Sequence, residues 1–223
     1  MSVFPTDTWI FDLDNTLYPA ECELFAQVDS RMGAYISALL ALDATAARAL
    51  QKTYYRQHGT TLRGLMDNHG VEPEDYLDYV HDIDLSPLDA VPSLAAALAA
   101  LPGRRYVFTN GSRKHALQVL ERLGLAPLFA GIFDIIAADY VPKPQALTYD
   151  RFIAEFDIDP TTAVFVEDSV ANLAPAAALG MRTVWLCQRE APGSETGPDY
   201  VDHVIDDLGQ WLEAERLAGS ISP

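Results

Sequence analysis

Trp9-Ile10-Phe11-Asp12-Leu13-Asp14-Asn15-Thr16-Leu17-Tyr18-Pro19 is the stretch on which the reading of the whole chain turns. Val3, Trp9, Ile10 and Phe11 suit a short buried strand, and the polar cluster closed by Pro19 ends regular structure at once. Two carboxylates spaced two apart, followed by a small hydroxyl, therefore sit at the carboxyl end of a strand. In open parallel α/β sheets that end faces the crevice where ligands bind. A solvated turn with Asp12 or Asn15 capping the next helix would use the same residue types. The choice between the two falls to the rest of the chain.

With 223 residues and 49% hydrophobic content, the chain has room for one large domain, or a domain plus a small insert, around a packed core. Fifteen basic residues against 32 acidic ones give a net charge of -17, which disfavours a nucleic-acid backbone or an anionic membrane as a partner. An anionic ligand then needs local help. Cys22 and Cys187 are too few and too far apart for a disulfide framework, so two reduced thiols are expected, which suits the cytoplasm. Met1 to Pro5 lack a basic leader region, and the longest apolar run, Leu94 to Leu101, is far short of a membrane span. No obligate protein partner is evident.

After Pro19, apolar residues from Leu24 to Leu40 recur at helical spacing and predict a long amphipathic helix. Asp43 can cap a second helix running to Gly59, Thr60 or Thr61 a third ending near Gly70, and Pro73 suits the first turn of a fourth. Residues 19–87 thus read as an all-helical insert. From Asp89 onward helix and strand alternate. Strands are expected at Tyr106 to Phe108, Ile132 to Ala137, Ala163 to Val166, Arg182 to Leu186 and His203 to Ile205. Helices are expected at Pro92 to Leu101, Ser112 to Leu123, Gln145 to Phe156, Val170 to Leu179 and Leu208 to Leu217, with Ala191 to Tyr200 a mobile loop. Alternation of this kind means an α/β fold, a parallel sheet covered on both faces, built from residues 1–18 and 88–223.

Three further constellations follow the opening acids. Thr109-Asn110-Gly111-Ser112 closes a strand and starts a helix, offering a hydroxyl, an amide and unpaired backbone N–H groups, which is how helix N-termini attract anions. A plain N-cap role for Asn110 or Ser112 uses the same residues. Lys143, between Pro142 and Pro144, is biased towards extended backbone and presented by a stiff loop. Glu167-Asp168-Ser169 ends another strand, with Asn172 one turn into the next helix. Two carboxylates about 4 Å apart repel by roughly 4 kcal/mol at an effective dielectric near 20, so Asp12, Asp14 and Asp168 need a cation in order to cluster. Hard oxygen ligands suit Mg²⁺, and no His or Cys grouping offers a zinc site.

In this order, Asp12-Leu13-Asp14-Asn15-Thr16, Thr109 with its following donor, Lys143 and the acidic pair resemble the four motifs of the haloacid dehalogenase-like hydrolases, over nearly the whole chain. The resemblance implies a Rossmann-like core with a helical cap between the first two motifs, and a small phosphorylated metabolite as substrate. It implies that Asp12 attacks phosphorus to form an aspartyl-phosphate, while Asp14 protonates the leaving oxygen and then activates water. Thr109, Asn110 and Lys143 would hold the phosphoryl oxygens. The Asp12 and Asp168 carboxylates and the Asp14 backbone carbonyl would bind Mg²⁺, with Thr16, Glu167 and Asn172 in supporting positions behind them.

Asp14 to Pro19, Tyr54, Gly59-Thr60-Thr61-Leu62-Arg63-Gly64-Leu65 and Phe165 to Ser169 are further similar to the pyrimidine 5'-nucleotidase branch, which implies a nucleoside 5'-monophosphate such as UMP or CMP. Glu167 departs from that branch, which more often carries Asp there. Tyr54, Arg63 and His58 are the candidate cap contacts, each with a packing or surface alternative. The family's C-halogen hydrolases lack an acid at the Asp14 position and need no metal, so Asp14 argues against that activity. A phosphatase of small sugar phosphates or phosphoglycolate, or a phosphomutase, would use the same four motifs and differ only in the cap. Loss of catalysis is not indicated, since no catalytic position is missing.

Overall fold

The computed structural model describes residues 6–187 and 197–219, so Val3, the first five residues and 191–196 of the expected loop lie outside it. Six strands form one parallel sheet: β1 (Thr8–Phe11), β2 (Arg104–Phe108), β3 (Gly131–Phe133), β4 (Ala163–Glu167), β5 (Arg182–Leu186) and β6 (His203–Ile205). Their order is β3-β2-β1-β4-β5-β6. In β1, Thr8 lies opposite Arg104 on one side and Ala163 on the other, and all four residues are buried, as expected of a strand covered on both faces.

The pleat splits the core in two. Phe11, Val107 and Val164 cluster with side chains of α5 (Pro92–Ala100), α6 (Arg113–Leu123) and α9 (Leu208–Gly219). Ile10, Phe108 and Phe165 cluster on the opposite face with α7 (Ala146–Phe156) and α8 (Val170–Ala178). Each fully buried Phe or Leu in these layers contributes roughly 1.5–3 kcal/mol. Strand order reverses at β1, so the crevice of this sheet opens beyond the carboxyl ends of β1, β2 and β4.

Between β1 and β2 the chain is helical: α1 (Leu24–Leu40), α2 (Ala44–His58), α3 (Thr61–His69) and α4 (Pro73–Val80). The expected caps form. Asp43 Oδ1 accepts from Ala46 N, Thr60 Oγ1 accepts from Arg63 N, and Gly59 and Gly70 close α2 and α3 at positive φ. Val28, Ile36, Ala47, Tyr54, Leu65 and Tyr76 give this block a cluster of its own, which Ile135 joins from the loop after β3. Helices α2 and α3 meet at Gly64, where a Cβ would stand 2.4 Å from the Tyr54 ring. Gly64→Ala is therefore expected to lower stability by about 1–3 kcal/mol, read as a lower denaturant midpoint at unaltered slope. A midpoint equal to that of the parent chain would contradict the packing.

One expected strand is shorter than its apolar pattern. Ile132 to Ala137 reads as strand, but β3 ends at Phe133 and the chain turns from Asp134. Asp134 is the cause: its Oδ1 accepts from Ala137 N in a tight turn and its Oδ2 accepts from Arg113 N at the start of α6. Ile135 is thereby sent into the helical block instead of the sheet. Among the described residues no helix is long and apolar enough to cross a membrane. Cys22 and Cys187 are both free and half-buried.

Candidate active site

The backbone pairing of β1 with β4 continues one residue past the strand, Asp12 N donating to Val166 O at 3.0 Å. This fixes the Asp12 carboxylate at the mouth of the crevice, 7% exposed. Lys143 reaches it from a loop 131 residues away, and its Nζ donates to Asp12 Oδ1 at 2.8 Å, Glu167 Oε2 at 2.7 Å and Phe108 O at 2.7 Å. An ammonium has three protons, and these acceptors use all of them. The charge also lies 5.0 Å and 5.3 Å from the centroids of Phe108 and Phe165. Thr16 Oγ1 stands 3.4 Å from the other Asp12 oxygen. The extra methylene of Glu167 is what lets it span to Lys143 with one oxygen while the other accepts from Ser169 N at 3.1 Å.

The electrostatics of this group are unbalanced. Burial, then the Glu167 charge, push the Asp12 carboxyl up to about 7 against the pull of Lys143. Burial likewise takes Glu167 up to about 7, Lys143 opposing and Asp168 adding to the rise. Asp168 is also raised, by burial and then by Asp12. Burial works against the Lys143 charge, yet Asp12 and Glu167 hold its proton above the usual lysine range. Ligand atoms of Asp12, Glu167 and Asp168 all lie within 4.8 Å of one another. Three carboxylates face one ammonium, and the donors are all hard oxygens, a set fitted to a divalent cation such as Mg²⁺.

Beside these acids, β2 delivers Thr109 and Gly111. Thr109 is buried, its Oγ1 accepting from Gly111 N at 2.9 Å, and a Cβ on Gly111 would come within 3.3 Å of that hydroxyl and 3.4 Å of the His115 ring. The absence of a side chain here leaves a hollow bordered by the side chains of Thr109, His115 and Asp14. Asn110 is at the same wall and its amide holds the lysine loop, Oδ1 accepting from Lys143 N at 2.8 Å and Nδ2 donating one of its two hydrogens to Lys143 O at 3.3 Å. It anchors the loop that carries Lys143. Asn172 borders an adjoining cleft together with Lys143 and Ser169, its carbonyl accepting from Tyr149 Oη at 2.5 Å.

Asp14 has partners that motif reading does not supply. Its Oδ1 accepts from Tyr18 Oη at 2.6 Å and is 2.9 Å from His115 Nε2. Burial alone would raise this carboxyl, but the His115 charge and hydrogen bond, with Tyr18, bring it down to about 2. The His115 ring is stacked on His81, 4.4 Å between centroids and 11° between planes. His81, the residue that ends α4, is 3.1 Å from Ser112 Oγ through its Nδ1. Burial, then His115, depress its pKa to about 3, so it is neutral. The one signal in the sequence is spacing: with Ser112 as N-cap, His115 falls on the same face as Ala116, Val119 and Leu120, where a polar ring is out of place.

Above the acids, a cavity of about 380 Å³ runs between the sheet edge and the helical block. Asp12, Asp14, Thr109, Asn110, Lys143 and Asp168 all border it, and its far wall combines apolar Phe25, Val28, Met32, Leu62, Leu77 and Ile135 with polar Asp29, Gln51, Lys52, Thr60 and Thr61. Tyr54 and Arg63 are not on this wall. Tyr54 is buried between α2 and α3, its hydroxyl 2.6 Å from His69 Nε2, and Arg63 pairs with Asp67 at 3.0 Å. His58 is 3.1 Å from the same Asp67 and borders only the adjoining cleft. The neighbouring Tyr55 lines both spaces.

A family model described as haloacid dehalogenase-like hydrolase matches residues 6–180. Phosphate metabolism protein 8 of Saccharomyces cerevisiae is 26% identical over 195 residues, covering 78% of this chain and 59% of that protein. Enolase-phosphatase E1 of Methylococcus capsulatus is 28% identical over 146 residues, 63% of this chain and 59% of its own length. The chain thus spans about three-fifths of the length of these curated relatives. A HAD phosphatase from Thermococcus onnurineus superposes with a TM-score of 0.63 at 18% identity, over 94% of this chain and 97% of that one, a likeness of fold.

Proposed function

Since this chain belongs to the haloacid dehalogenase-like hydrolases, we propose that it is a Mg²⁺-dependent phosphomonoesterase working through an aspartyl-phosphate on Asp12, with a pyrimidine nucleoside 5'-monophosphate as substrate. The observation that carries the chemistry is the convergence of Asp12, Lys143, Glu167 and Asp168 on one point beside the Thr109–Gly111 hollow. An Asp12 oxygen attacks phosphorus as the bond to the leaving oxygen breaks, and Asp14, ionised in the empty site, passes to that oxygen the proton that the phosphate monoester brings in with it. Asp14 then takes a proton from water, the water oxygen attacks phosphorus, and the Asp12–phosphorus bond breaks. The carboxylates of Asp12 and Asp168 and the Asp14 main-chain carbonyl would hold Mg²⁺, which supplies positive charge against the phosphoryl oxygens. The Thr109 hydroxyl and the second Nδ2 hydrogen of Asn110 receive those oxygens, and Lys143, committed to its three acceptors, acts by its charge and by holding Asp12 in place.

Residues 19–87 serve in this reading as a cap that closes over the leaving group. A far wall that joins apolar Phe25, Met32 and Leu77 to polar Gln51, Thr60 and Thr61 supports a base-bearing substrate, with an apolar face and polar edges, over a small, wholly polar one. Tyr55, on that wall, is a better candidate for base contact than Tyr54 or Arg63. The test is kcat/KM for UMP, CMP, AMP, GMP, phosphoglycolate and several sugar phosphates under one set of conditions, with and without a chelator. UMP or CMP is expected to lead, and activity to vanish on chelation and return with Mg²⁺. A sugar phosphate or phosphoglycolate ahead of every nucleotide by tenfold would overturn the substrate. Activity indifferent to exhaustive chelation would overturn the metal.

A further inference from the structure

We propose that His115 and Tyr18 are positioning residues for Asp14, gripping one carboxylate oxygen so that the other is presented to the leaving group. The inference rests on the reading of Asp14 as the acid–base group. Both donors converge on the same atom, Oδ1, Tyr18 Oη at 2.6 Å and His115 Nε2 at 2.9 Å. A carboxylate only accepts, so the imidazole carries its hydrogen on Nε2. Oδ2 is turned the other way, 3.7 Å from the point where a Cβ on Gly111 would stand, and so over the hollow beside Thr109. Two donors from two directions fix the carboxylate plane as well as its distance, and acid–base catalysis depends on that geometry.

A His placed only for packing would satisfy its second nitrogen or leave it in solvent. His115 does neither: it is 1% exposed, and its Nδ1 is buried without a hydrogen-bond partner. A bare buried nitrogen in a folded chain calls for an explanation other than stability. The ring cannot rotate to relieve it, because its face is covered by His81 at 4.4 Å and His81 is itself tied to Ser112 Oγ. His81 comes from the helical block, whereas Asp14, Tyr18 and His115 come from the sheet side. The stacking that covers the His115 ring is therefore completed only when the block is seated on the core.

The test compares two substrates that differ in their need for a proton. UMP, or the alkyl phosphate monoester turned over best, expels an alkoxide and needs the acid; p-nitrophenyl phosphate expels a phenolate that leaves without one. The ratio of kcat/KM for the two reports the steps up to departure of the leaving group. His115→Ala and Tyr18→Phe are each expected to lower that ratio, alkyl over aryl, at least tenfold. His115→Gln, whose amide nitrogen reaches the position of Nε2, should restore most of it, and His115→Asn, which reaches only to Nδ1, should not. Equal losses on both substrates, or rescue by Asn as good as by Gln, would overturn the inference. Should His115→Ala fail to fold, Tyr18→Phe, which removes a single oxygen, decides the matter by the same ratio. Asp14→Asn separates the two levels. If it leaves the ratio intact, the acid–base reading of Asp14 is wrong; if it collapses the ratio while Tyr18 and His115 variants do not, only the positioning is wrong.

Discussion

Asp12→Asn is expected to reduce turnover by about 10⁴-fold or more, equivalent to roughly 5.5 kcal/mol of transition-state stabilisation. The substitution is nearly isosteric, and its remaining carbonyl oxygen can still accept from Lys143, so the buried group around it should survive. Amide oxygen is a poor nucleophile, and no other carboxylate stands in the same place: Glu167 is tied to Lys143 and Ser169, and Asp14 is held at Oδ1 by Tyr18 and His115. The measurement is kcat on the best substrate, with rapid acid quench of the parent enzyme to trap the aspartyl-phosphate. Parent-like turnover by the pure, folded variant would remove Asp12 from its role.

Lys143→Ala should hurt twice. Turnover is expected to fall about 100-fold or more, near 2.7 kcal/mol, because the charge that offsets the phosphoryl oxygens is gone. Stability is expected to fall by about 3–5 kcal/mol, because Asp12 and Glu167 remain buried without their counterion. Lys143→Arg should not restore activity. A planar guanidinium has its donors in a fixed fork, whereas the three acceptors here surround a single point at 2.7–2.8 Å. The decisive measurements are kcat, KM and a denaturation midpoint on the same preparation. If kcat and KM both shift by less than tenfold, about 1.4 kcal/mol, Lys143 has no part in the chemistry.

What is legible in the sequence is what is local or periodic. Asp12 and Asp14 are two residues apart, and every strand of the sheet shows as a short apolar run between turn signals. The caps at Asp43, Thr60 and Ser112 follow from hydrogen bonds three residues long. The partners of those acids are another matter. His115 meets Asp14 across 101 residues, and Asn110 meets the Lys143 backbone across 33, so neither pairing has a local signature. The part Asn110 takes in holding the lysine loop is invisible in the sequence because its partner there is distant backbone.

The helical block hides its contacts in a different way. Periodicity locates α2 but leaves its rotation about its own axis to tertiary packing, and neighbouring residues on a helix point about 100° apart. From sequence Tyr54 is singled out, yet Tyr54 packs on Gly64 and its neighbour Tyr55 lines the cavity. The end of β3 is obscured for a similar reason. Ile132 to Ala137 is apolar enough for a strand, and of the two bonds that make Asp134 turn the chain, the one to Arg113 N spans 21 residues.

The central position of β1 also governs the birth of the molecule. The strand that ends at Asp12 is made before the other five and pairs with partners that begin only at Arg104 and Ala163. At typical ribosomal speeds of 5–20 residues per second, roughly 8–30 s separate synthesis of Phe11 from that of Ala163. Throughout that interval Trp9, Ile10 and Phe11 have an open hydrogen-bonding edge on at least one side. The helices that follow depend mostly on near neighbours and can form while the strand waits. Nascent chains halted between residues 90 and 160 should therefore be where molecular chaperones are most needed, well before any site exists to be inhibited or saturated.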